Sequence, residues 1–272
     1  MSIVSRETPT ISGWHRVIVP EPRPTSDVPY HHDRAPGQKF LVLADSVVRG
    51  SPIYVAARRV DRIPPEIPRW LDPHEHDCNS FYVFIGDGPR LSGLDAMVTL
   101  GEVTFPVTSP SAVLIPPYTL HHYWMTAGAG WYFQITLRPE YTDSLVPPDA
   151  LGQRPAPTLE EIYQAARSQP RGWRFIGPEV FSMPGVTLDV TELAGGGAPM
   201  APLPPAAFGL DVVLGRGGSG LAVDYACGAT SARLEARSAL VHVGERPVVT
   251  APEGSGLLAR IVPDAPFRTN GG

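Results

Sequence analysis

Short apolar segments recur along the chain from Phe40 onward, and each is bounded by a run of turn-forming residues. Segments of four to eight residues between Gly, Pro and Asp breaks predict β-strands, and their regular spacing favours a sandwich or barrel. In the first half these segments are Phe40–Leu43, Ile53–Val60, Phe81–Ile85, Ala96–Leu100, Ala112–Ile115, His121–Met125 and Trp131–Leu137.

The pattern changes once and then returns. Thr158 as N-cap and Glu161 three residues later form a capping-box signature, which predicts a helix running to about Ser168, before Pro170. The strand rhythm then resumes in Val186–Leu193, Gly209–Leu214, Gly220–Tyr225, Ala239–Val243 and Leu257–Val262. An internal duplication follows as the interpretation: residues 1–155 as an arm plus a first barrel, 156–172 as a linker helix, and 173–272 as a second barrel.

Composition supports an all-β fold. The 272 residues include 32 Pro and 27 Gly, a density that breaks helix interiors and excludes a helical bundle. A chain of this length can bury one large or two ordinary cores without a disulfide or metal staple.

Charge indicates which partners are expected, and cysteine content indicates the compartment. A formal charge of −5, with no run of Lys or Arg, is not what a nucleic-acid binder shows. Two distant cysteines suit a reducing compartment. The first thirty residues do not read as a signal peptide, and the longest uncharged run, Leu193–Leu210, is broken by prolines. We therefore predict a cytoplasmic protein that binds neither nucleic acid nor membrane.

The candidate metal-ligating residues are the histidines of two segments. The first segment is Pro73-His74-Glu75-His76, and the second is the pair His121-His122, which begins 45 residues after His76. Alternate residues of a strand point to one face, so His74 and His76 project side by side. A third imidazole from a neighbouring antiparallel strand would complete a facial set of ligands on one ion and leave positions open for substrate.

These residues resemble the two motifs of the cupin superfamily. His74, His76 and the turn Gly86-Asp87-Gly88 match the first motif, whereas Pro116 and His121 match the second, with Tyr118 in place of its glycine. The resemblance covers about residues 38–140. It implies a cupin barrel there, a degenerate second copy at about 173–265, and His74, His76 and His121 as the metal ligands.

One departure from that family concerns the carboxylate ligand that many cupins carry. This chain has Ser80 there, beside Asn79, which leaves three neutral imidazoles. Such a set suits one divalent ion per chain, with Fe(II) preferred and Zn, Ni or Mn as alternatives. Alternation turns His122 away from the site. Cys78 shares the parity of His74, but an inert buried thiol is the preferred interpretation.

The alternation of side chains along the strands also suggests which residues line the pocket. Tyr82 and Phe84 share the face of Ser80, Tyr54 and Arg58 share a face of an earlier strand, and the last strand contributes Trp131 or Tyr132, with Trp131 preferred. Aromatic walls with one arginine would hold a flat or carboxylated substrate, although each ring could equally be barrel core. The candidate catalytic residues are Tyr82, Tyr118 and Tyr123. In the N-terminal arm, His31 and His32 are either packing and surface residues or residues that close over the pocket.

Three functions follow as hypotheses. The first is an Fe(II)-dependent dioxygenase acting on a small aromatic or enolisable substrate, and the second is a metal-dependent isomerase, cyclase or lyase without O2 chemistry. The third is a small-ligand-binding protein with a structural metal, closed by a weak fourth ligand such as Cys78 or Asn79. Barrels of this kind often pair through edge strands, so a homodimer is one expected state.

The second half is expected to hold no metal. Where the first half has Pro73–His76, the second has the apolar run Pro202–Ala207, and its counterpart of the second motif, Val241–Pro247, offers only His242 as a ligand. Apolar side chains and a guanidinium do not coordinate divalent cations. We therefore predict about one metal ion per chain.

Overall fold

The structure is a computed structural model and describes residues 16–32, 35–65, 71–147, 158–170, 172–182, 184–193, 208–216, 221–227, 230–242 and 248–264. The strands up to the centre of the chain are β1 (Arg16–Ile18), β2 (Pro22–Arg23), β3 (Gln38–Leu43), β4 (Tyr54–Val60), β5 (Ser80–Gly86), β6 (Leu94–Leu100), β7 (Val103–Thr108), β8 (Ser111–Ile115), β9 (His121–Gly128) and β10 (Gly130–Thr136). Short 3₁₀ turns cover Thr25–Asp27, Pro89–Leu91 and Thr142–Ser144.

The remaining elements are α1 (Leu159–Ile162), β11 (Tyr163–Ala165), β12 (Arg167–Gln169), β13 (Gly172–Ile176), β14 (Val186–Leu193), β15 (Gly209–Gly215), β16 (Ala222–Cys227), β17 (Thr230–Glu235), β18 (Ala239–His242), β19 (Val248–Glu253) and β20 (Gly256–Pro263). The described residues divide into two compact units. The first unit contains residues 21–167 and 175–185, and the second contains residues 16–20, 168–174 and 186–264. The predicted domain boundaries stay a prediction, and residues 148–157 lie outside the described residues.

The first unit is built from two antiparallel sheets. A seven-stranded sheet has the order β11-β8-β5-β10-β4-β3-β2, and a three-stranded sheet has the order β7-β6-β9. Tyr82 on β5, Val98 on β6, Met125 on β9 and Tyr132 on β10 belong to one buried cluster to which both sheets contribute. The core of this unit therefore lies between its two sheets.

The second unit repeats this plan. Its seven-stranded sheet has the order β1-β18-β15-β20-β14-β13-β12, and its three-stranded sheet has the order β17-β16-β19. Leu193, Val213, Val223, Leu240 and Leu258 form its buried cluster. In each unit the middle strand of the small sheet pairs with the strand that follows it and with a later strand, so the same strand topology occurs twice.

The helix is shorter than the sequence predicts. The backbone N–H of Thr158 donates to a carboxylate oxygen of Glu161 at 3.1 Å, as the capping box requires. However, the helix ends at Ile162, and β11 then pairs with β8 in the register Tyr163↔Val113. Pairing with the edge of the sheet satisfies the backbone N–H and C=O groups of the three residues of β11. The helix therefore does not continue to Ser168. None of the helices in the described residues is both long and apolar enough to span a bilayer.

Candidate metal centre

Backbone pairing brings the three candidate histidines together. The His121 N–H donates to the His74 carbonyl at 3.0 Å and the His74 N–H donates to the His121 carbonyl at 3.3 Å, which makes an antiparallel bridge. On its other side the same segment pairs with the turn after β10, where Asp77 N–H donates to Ser144 O at 2.8 Å. The segment carrying His74 and His76 is thus held between the chain before β9 and the chain after β10.

The three imidazoles form a compact, buried cluster. Ring centroids lie 4.4 Å apart for His74 and His121, 5.1 Å for His74 and His76, and 5.1 Å for His76 and His121. One nitrogen from each ring lies within 4.8 Å of the others. Their exposed fractions are 3%, 1% and 0% for His74, His76 and His121. Nitrogens at this spacing can coordinate one ion.

Hydrogen bonds at Nδ1 orient each ring. His74 Nδ1 lies 2.9 Å from Asp72 O and His121 Nδ1 lies 2.8 Å from Thr119 O, both carbonyl acceptors, so each Nδ1 carries the proton. His76 Nδ1 lies 2.8 Å from Ser144 Oγ. The Ser144 hydroxyl donates to Tyr141 O at 2.6 Å, which leaves its oxygen to accept from His76. In all three rings Nε2 therefore carries the lone pair.

These three Nε2 atoms fit a divalent ion. Those of His76 and His121 are buried and have no hydrogen-bond partner among the described residues, whereas that of His74 accepts from the Tyr141 hydroxyl at 2.7 Å. Burial lowers the pKa of His74 to about 4 and that of His76 to about 3, and it holds the pKa of His121 well below its usual value. All three rings are neutral near pH 7, as ligation requires.

Ser80 begins β5 and lies on the same face as Tyr82 by strand alternation. It is fully buried, and its hydroxyl has no partner among the described residues. The one ligand group that the described residues form contains the three histidines and no carboxylate.

Tyrosines line the side of the cluster next to His121. The Tyr82 ring centroid lies 5.7 Å from that of His121 and 4.8 Å from that of Tyr123, and Tyr123 stacks on Tyr132 at 4.5 Å. Phe84 lies one step farther along β5, with its ring 5.4 Å from Tyr132. The structure thus brings Tyr82 and Tyr123 to the cluster and places Phe84 deeper in the core.

Tyr54 and Arg58 lie on β4, on the other side of the cluster. The Tyr54 ring lies 5.5 Å from Tyr141, and both rings line a cavity of about 170 Å³. Arg58 is buried and donates to Pro36 O at 3.2 Å and to Thr25 Oγ1 at 2.9 Å. Tyr54 therefore faces a cavity, whereas three hydrogen bonds to the protein itself, the third of them to Gly37 O at 3.4 Å, hold Arg58.

Of the two remaining predicted site residues, Trp131 lies away from the cluster and Tyr118 contacts the ligand segment through its backbone. Trp131 is on the opposite face of β10 from the aromatic cluster, with its ring 6.2 Å from Phe40 and 5.7 Å from the Arg59 guanidinium, so the pocket position belongs to Tyr132. Tyr118 lies in the turn before β9 with φ 58°, a left-handed conformation that explains a glycine at this position in related motifs. Its backbone N–H donates to His76 O at 2.7 Å, which supports the ligand segment.

The histidines of the arm behave differently from each other. The buried ring of His31 lies 5.9 Å from that of His74 and 5.5 Å from that of Tyr141, whereas His32 Nε2 lies 2.9 Å from the Asp72 carboxylate at the surface.

Among the other candidates, His122 stacks on Trp124 on the outer face of β9. Burial raises the pKa of the Cys78 thiol to about 12, which keeps it neutral, and His15 lies outside the described residues.

The second unit has an ion pair at its centre. Asp211 is fully buried, pairs with Arg260 through two hydrogen bonds, and accepts a third from Tyr225 Oη at 3.0 Å. Burial alone would raise the pKa of Asp211, but Arg260 holds it at about 2. His242 Nε2 lies 3.9 Å from this carboxylate. The segments 202–207 and 243–247, which carried the sequence argument for this unit, lie outside the described residues.

Three residues near the site carry no sequence signal of a role there: Tyr141, Ser144 and Lys39. Tyr141 precedes, and Ser144 ends, a short 3₁₀ turn after β10 that carries no motif. Lys39 stands near the start of β3, between Gln38 and the apolar run Phe40–Leu43, and nothing in this pattern indicates that it is buried. Only the unique occurrence of lysine at position 39 could have drawn attention to it.

No protein-family model and no curated protein matches the sequence. Solved structures do match. An oxalate decarboxylase formate complex from Lactobacillus farciminis is similar with a TM-score of 0.59 and 11% identity, over 96% of this chain and 89% of that chain. AerE from Microcystis aeruginosa is similar with a TM-score of 0.56 and 9% identity, over 92% and 99% of the two chains.

Oxalate decarboxylase from Bacillus subtilis is similar with a TM-score of 0.59 and 10% identity, over 97% of this chain and 79% of that chain. Identities this low show the fold alone. The prediction of an all-β, cupin-type fold is thereby confirmed, and the three-histidine cluster supports a metal-dependent protein of that fold.

Proposed function

We propose that this protein is a mononuclear non-haem metal enzyme, and specifically an Fe(II)-dependent dioxygenase acting on a small aromatic or enolisable substrate. The observation that carries the proposal is the convergence of three neutral Nε2 atoms, from His74, His76 and His121, with no carboxylate in the group. Neutral ligands leave the dipositive charge of the ion uncompensated, which favours an anionic substrate oxygen such as a phenolate or enolate. When bound, iron would supply the Lewis acid and redox centre.

Tyr141 is the residue best placed to interact with the substrate. Its hydroxyl lies 2.7 Å from His74 Nε2, and burial raises the pKa of this phenol well above its usual value. Tyr141 therefore keeps its proton at Oη and can donate a hydrogen bond to an anionic oxygen next to the histidine cluster.

The tyrosine wall orients the substrate and limits water. Tyr82, Tyr123 and Tyr132 are each 4% exposed or less; Tyr82 lies beside His121 and meets Tyr123 edge-on, and Tyr123 stacks on Tyr132. A flat ring or a planar enolate matches stacked aromatic faces, and a dry wall strengthens the hydrogen bond from Tyr141. Tyr82 and Tyr123 act here as binding residues.

A redox-neutral metal enzyme, either an isomerase, a cyclase or a lyase, is the second candidate. Two observations favour it: the Tyr141 proton beside the cluster, which suits proton transfer without O2, and the similarity in fold to proteins named oxalate decarboxylase. In that reaction the same three histidines bind the ion and Tyr141 moves the proton at Oη.

Metal analysis of protein purified without oxygen is the first test. We expect about one iron per chain, loss of the ion in His74→Ala, His76→Ala and His121→Ala, and full occupancy in His122→Ala. The last variant is a matched control because His122 neighbours His121 but lies on the outer face of β9. Loss of the ion in His122→Ala with retention in His121→Ala would contradict the proposed ligand set.

Oxygen consumption separates the candidates. The iron-loaded protein is titrated in an oxygen electrode with dihydroxybenzoates and β-diketones, and a dioxygenase consumes one O2 per substrate. Turnover without oxygen uptake would favour the isomerase or lyase. A metal bound by four protein ligands, with no turnover of any substrate, would instead indicate a ligand-binding protein with a structural ion.

A further inference from the structure

Lys39 is an unusual residue in this chain because it is the only lysine and it is buried. It lies on β3 opposite Arg58 of β4 and is 6% exposed. Its Nζ has no hydrogen-bond partner among the described residues. A buried ammonium group without a partner is costly, so a purely structural lysine at this position has no evident benefit.

Lys39 lies at the wall of the cavity of about 170 Å³ in the first unit. Apolar and aromatic side chains, including Leu41, Tyr54 and Tyr141, form much of the wall, and Arg23, Asp27 and Glu140 add charges. A comparable cavity engineered in another protein holds benzene, so this space accommodates a small organic molecule. A ligand in the cavity would therefore meet two aromatic faces and the buried Lys39 ammonium group, which has no hydrogen-bond partner among the described residues.

Among the charged groups around the cavity, Lys39 is the one that is buried and has no hydrogen-bond partner in the described residues. The carboxylate of Glu140 accepts from Ser46 N–H at 2.5 Å, and the Arg58 guanidinium is bound to Pro36 O and Thr25 Oγ1. No carboxylate lies within salt-bridge distance of Lys39 in the described part of the chain, although Asp27 is close enough to act on it electrostatically.

The cavity adjoins the metal centre through one side chain. Lys39 Nζ lies 6.0 Å from the centroid of the Tyr141 ring, and the Tyr141 hydroxyl donates to His74 Nε2 at 2.7 Å. A molecule held at Lys39 would thus be separated from the histidine cluster by a single aromatic ring.

We propose that the Lys39 ammonium group binds the carboxylate of a small organic acid in this cavity. This acid site lies on the far side of the Tyr141 ring from the histidine cluster, so the inference goes beyond the proposed function. The carboxylate accepts hydrogen bonds from Nζ, and the rest of the acid packs on Tyr54 and Tyr141.

The single lysine allows a direct test. Protein labelled with [13Cε]lysine gives one lysine NMR signal, which reports on the charge and surroundings of Lys39. The metal-free protein is titrated with acetate, pyruvate, oxalate, benzoate and salicylate, and with acetamide and benzamide as neutral counterparts. We expect at least one acid to shift the Lys39 signal saturably and the amides to leave it unchanged.

Variants supply the second arm. Calorimetry should show at least tenfold weaker binding of that acid to Lys39→Met and binding within twofold of wild type for Arg62→Met, which removes an exposed cation from the same unit. The inference is overturned if no acid shifts the signal, or if Lys39→Met binds as well as wild type. Covalent trapping of pyruvate at Lys39 by cyanoborohydride would also overturn it, because the amine would then form an imine rather than an ion pair.

Because these measurements use metal-free protein, they are independent of the dioxygenase proposal. Acid binding that depends on Lys39, in a protein that consumes no oxygen when loaded with iron, would support the carboxylate site and refute the dioxygenase. Oxygen consumption in a protein whose Lys39 signal responds to no acid would refute the carboxylate site alone.

Discussion

Replacing Lys39 by methionine should stabilise the metal-free protein, by an amount that falls as the pH rises. Burial, followed by the nearby Arg58, lowers the pKa of Lys39 from 10.5 to about 7, and Asp27 offsets this only in part. The unfolded chain therefore binds a proton more tightly than the folded protein does. Below about pH 7 both states are protonated, and the folded state bears the full cost of the buried charge, about 5 kcal/mol.

The sign of the pH dependence follows from linkage. Between about pH 7 and pH 10 the folded protein has lost this proton while the unfolded chain still holds it, so the free energy of unfolding rises with pH. For these two pKa values the cost of Lys39 falls from about 4 kcal/mol at pH 7 to about 2 kcal/mol at pH 9. Methionine has no proton to lose, so the advantage of the variant should shrink by about 2 kcal/mol over this interval.

Denaturation by urea at a series of pH values, with a chelator present, measures this difference. The other titratable and charged groups near Lys39 are common to both proteins. They are Arg23, Asp27, His31, Tyr54, Arg58, His74, Glu140 and Tyr141. His31 and His74 respond to the charge of Lys39, but burial keeps their pKa values below this interval, so both rings are neutral from pH 7 to pH 9 with or without Lys39. Arg62→Met should follow the wild-type curve. A stability difference between Lys39→Met and wild type that stays constant from pH 7 to pH 9 would refute the reasoning, because it would mean that Lys39 keeps its ordinary pKa in the folded protein.

Three further predictions concern the metal centre and the second unit. Ser144→Ala should weaken metal binding about 10- to 100-fold, as measured against a competing chelator, because the His76 ring loses the acceptor that orients it; unchanged affinity would refute this role. Ser80→Glu should keep the ion but alter its spectrum and catalysis by adding a carboxylate, and an unchanged spectrum would place Ser80 outside the site. His242→Ala should leave the metal content at about one ion per chain, whereas loss of a second ion would overturn the assignment of a single site.

Strand alternation carries much of what could be predicted about the site. His74 and His76 are two residues apart, so an extended backbone puts both rings on one side without any knowledge of the fold. The distant partner His121 required the resemblance to a two-motif family, because pairing between segments 45 residues apart is not encoded in either segment alone. In the structure that pairing is a backbone bridge between His74 and His121.

Strand alternation alone did not identify which residue of β10 faces the aromatic cluster, because it does not fix where the strand begins. Trp131 and Tyr132 follow a glycine-rich turn, and a shift of one residue exchanges the two faces of a strand. The register Tyr132↔Phe84 fixes Tyr132 on the inner face, with Trp131 facing Arg59 and Phe40. Likewise, the helix after Thr158 has a correct capping signal but ends early, because the pairing of β11 with β8 depends on tertiary structure that local propensity does not describe.

Tyr141 connects the metal centre to the cavity, and this leads to the last prediction. The His74 Nε2 lone pair accepts from the Tyr141 hydroxyl at 2.7 Å, and one lone pair cannot both accept this hydrogen bond and coordinate an ion.

Metal binding must therefore release the hydroxyl of a side chain that also forms part of the cavity wall next to Tyr54. Tyr141→Phe removes the competing hydrogen bond but keeps the ring. The variant should bind the ion at least as tightly as wild type in a chelator competition while its turnover falls about 100-fold or more, because the donor at Oη is lost.

Binding at the two sites should also be linked. If the free hydroxyl bonds to an acid in the cavity, the ion and the acid raise each other's affinity by the same factor, since coupling free energies are reciprocal. In Tyr141→Phe that factor should return to one. Weaker metal binding in Tyr141→Phe, by contrast, would mean that the phenol oxygen is itself a ligand, and the coupling would then act through the coordination of the ion rather than through a released hydrogen bond.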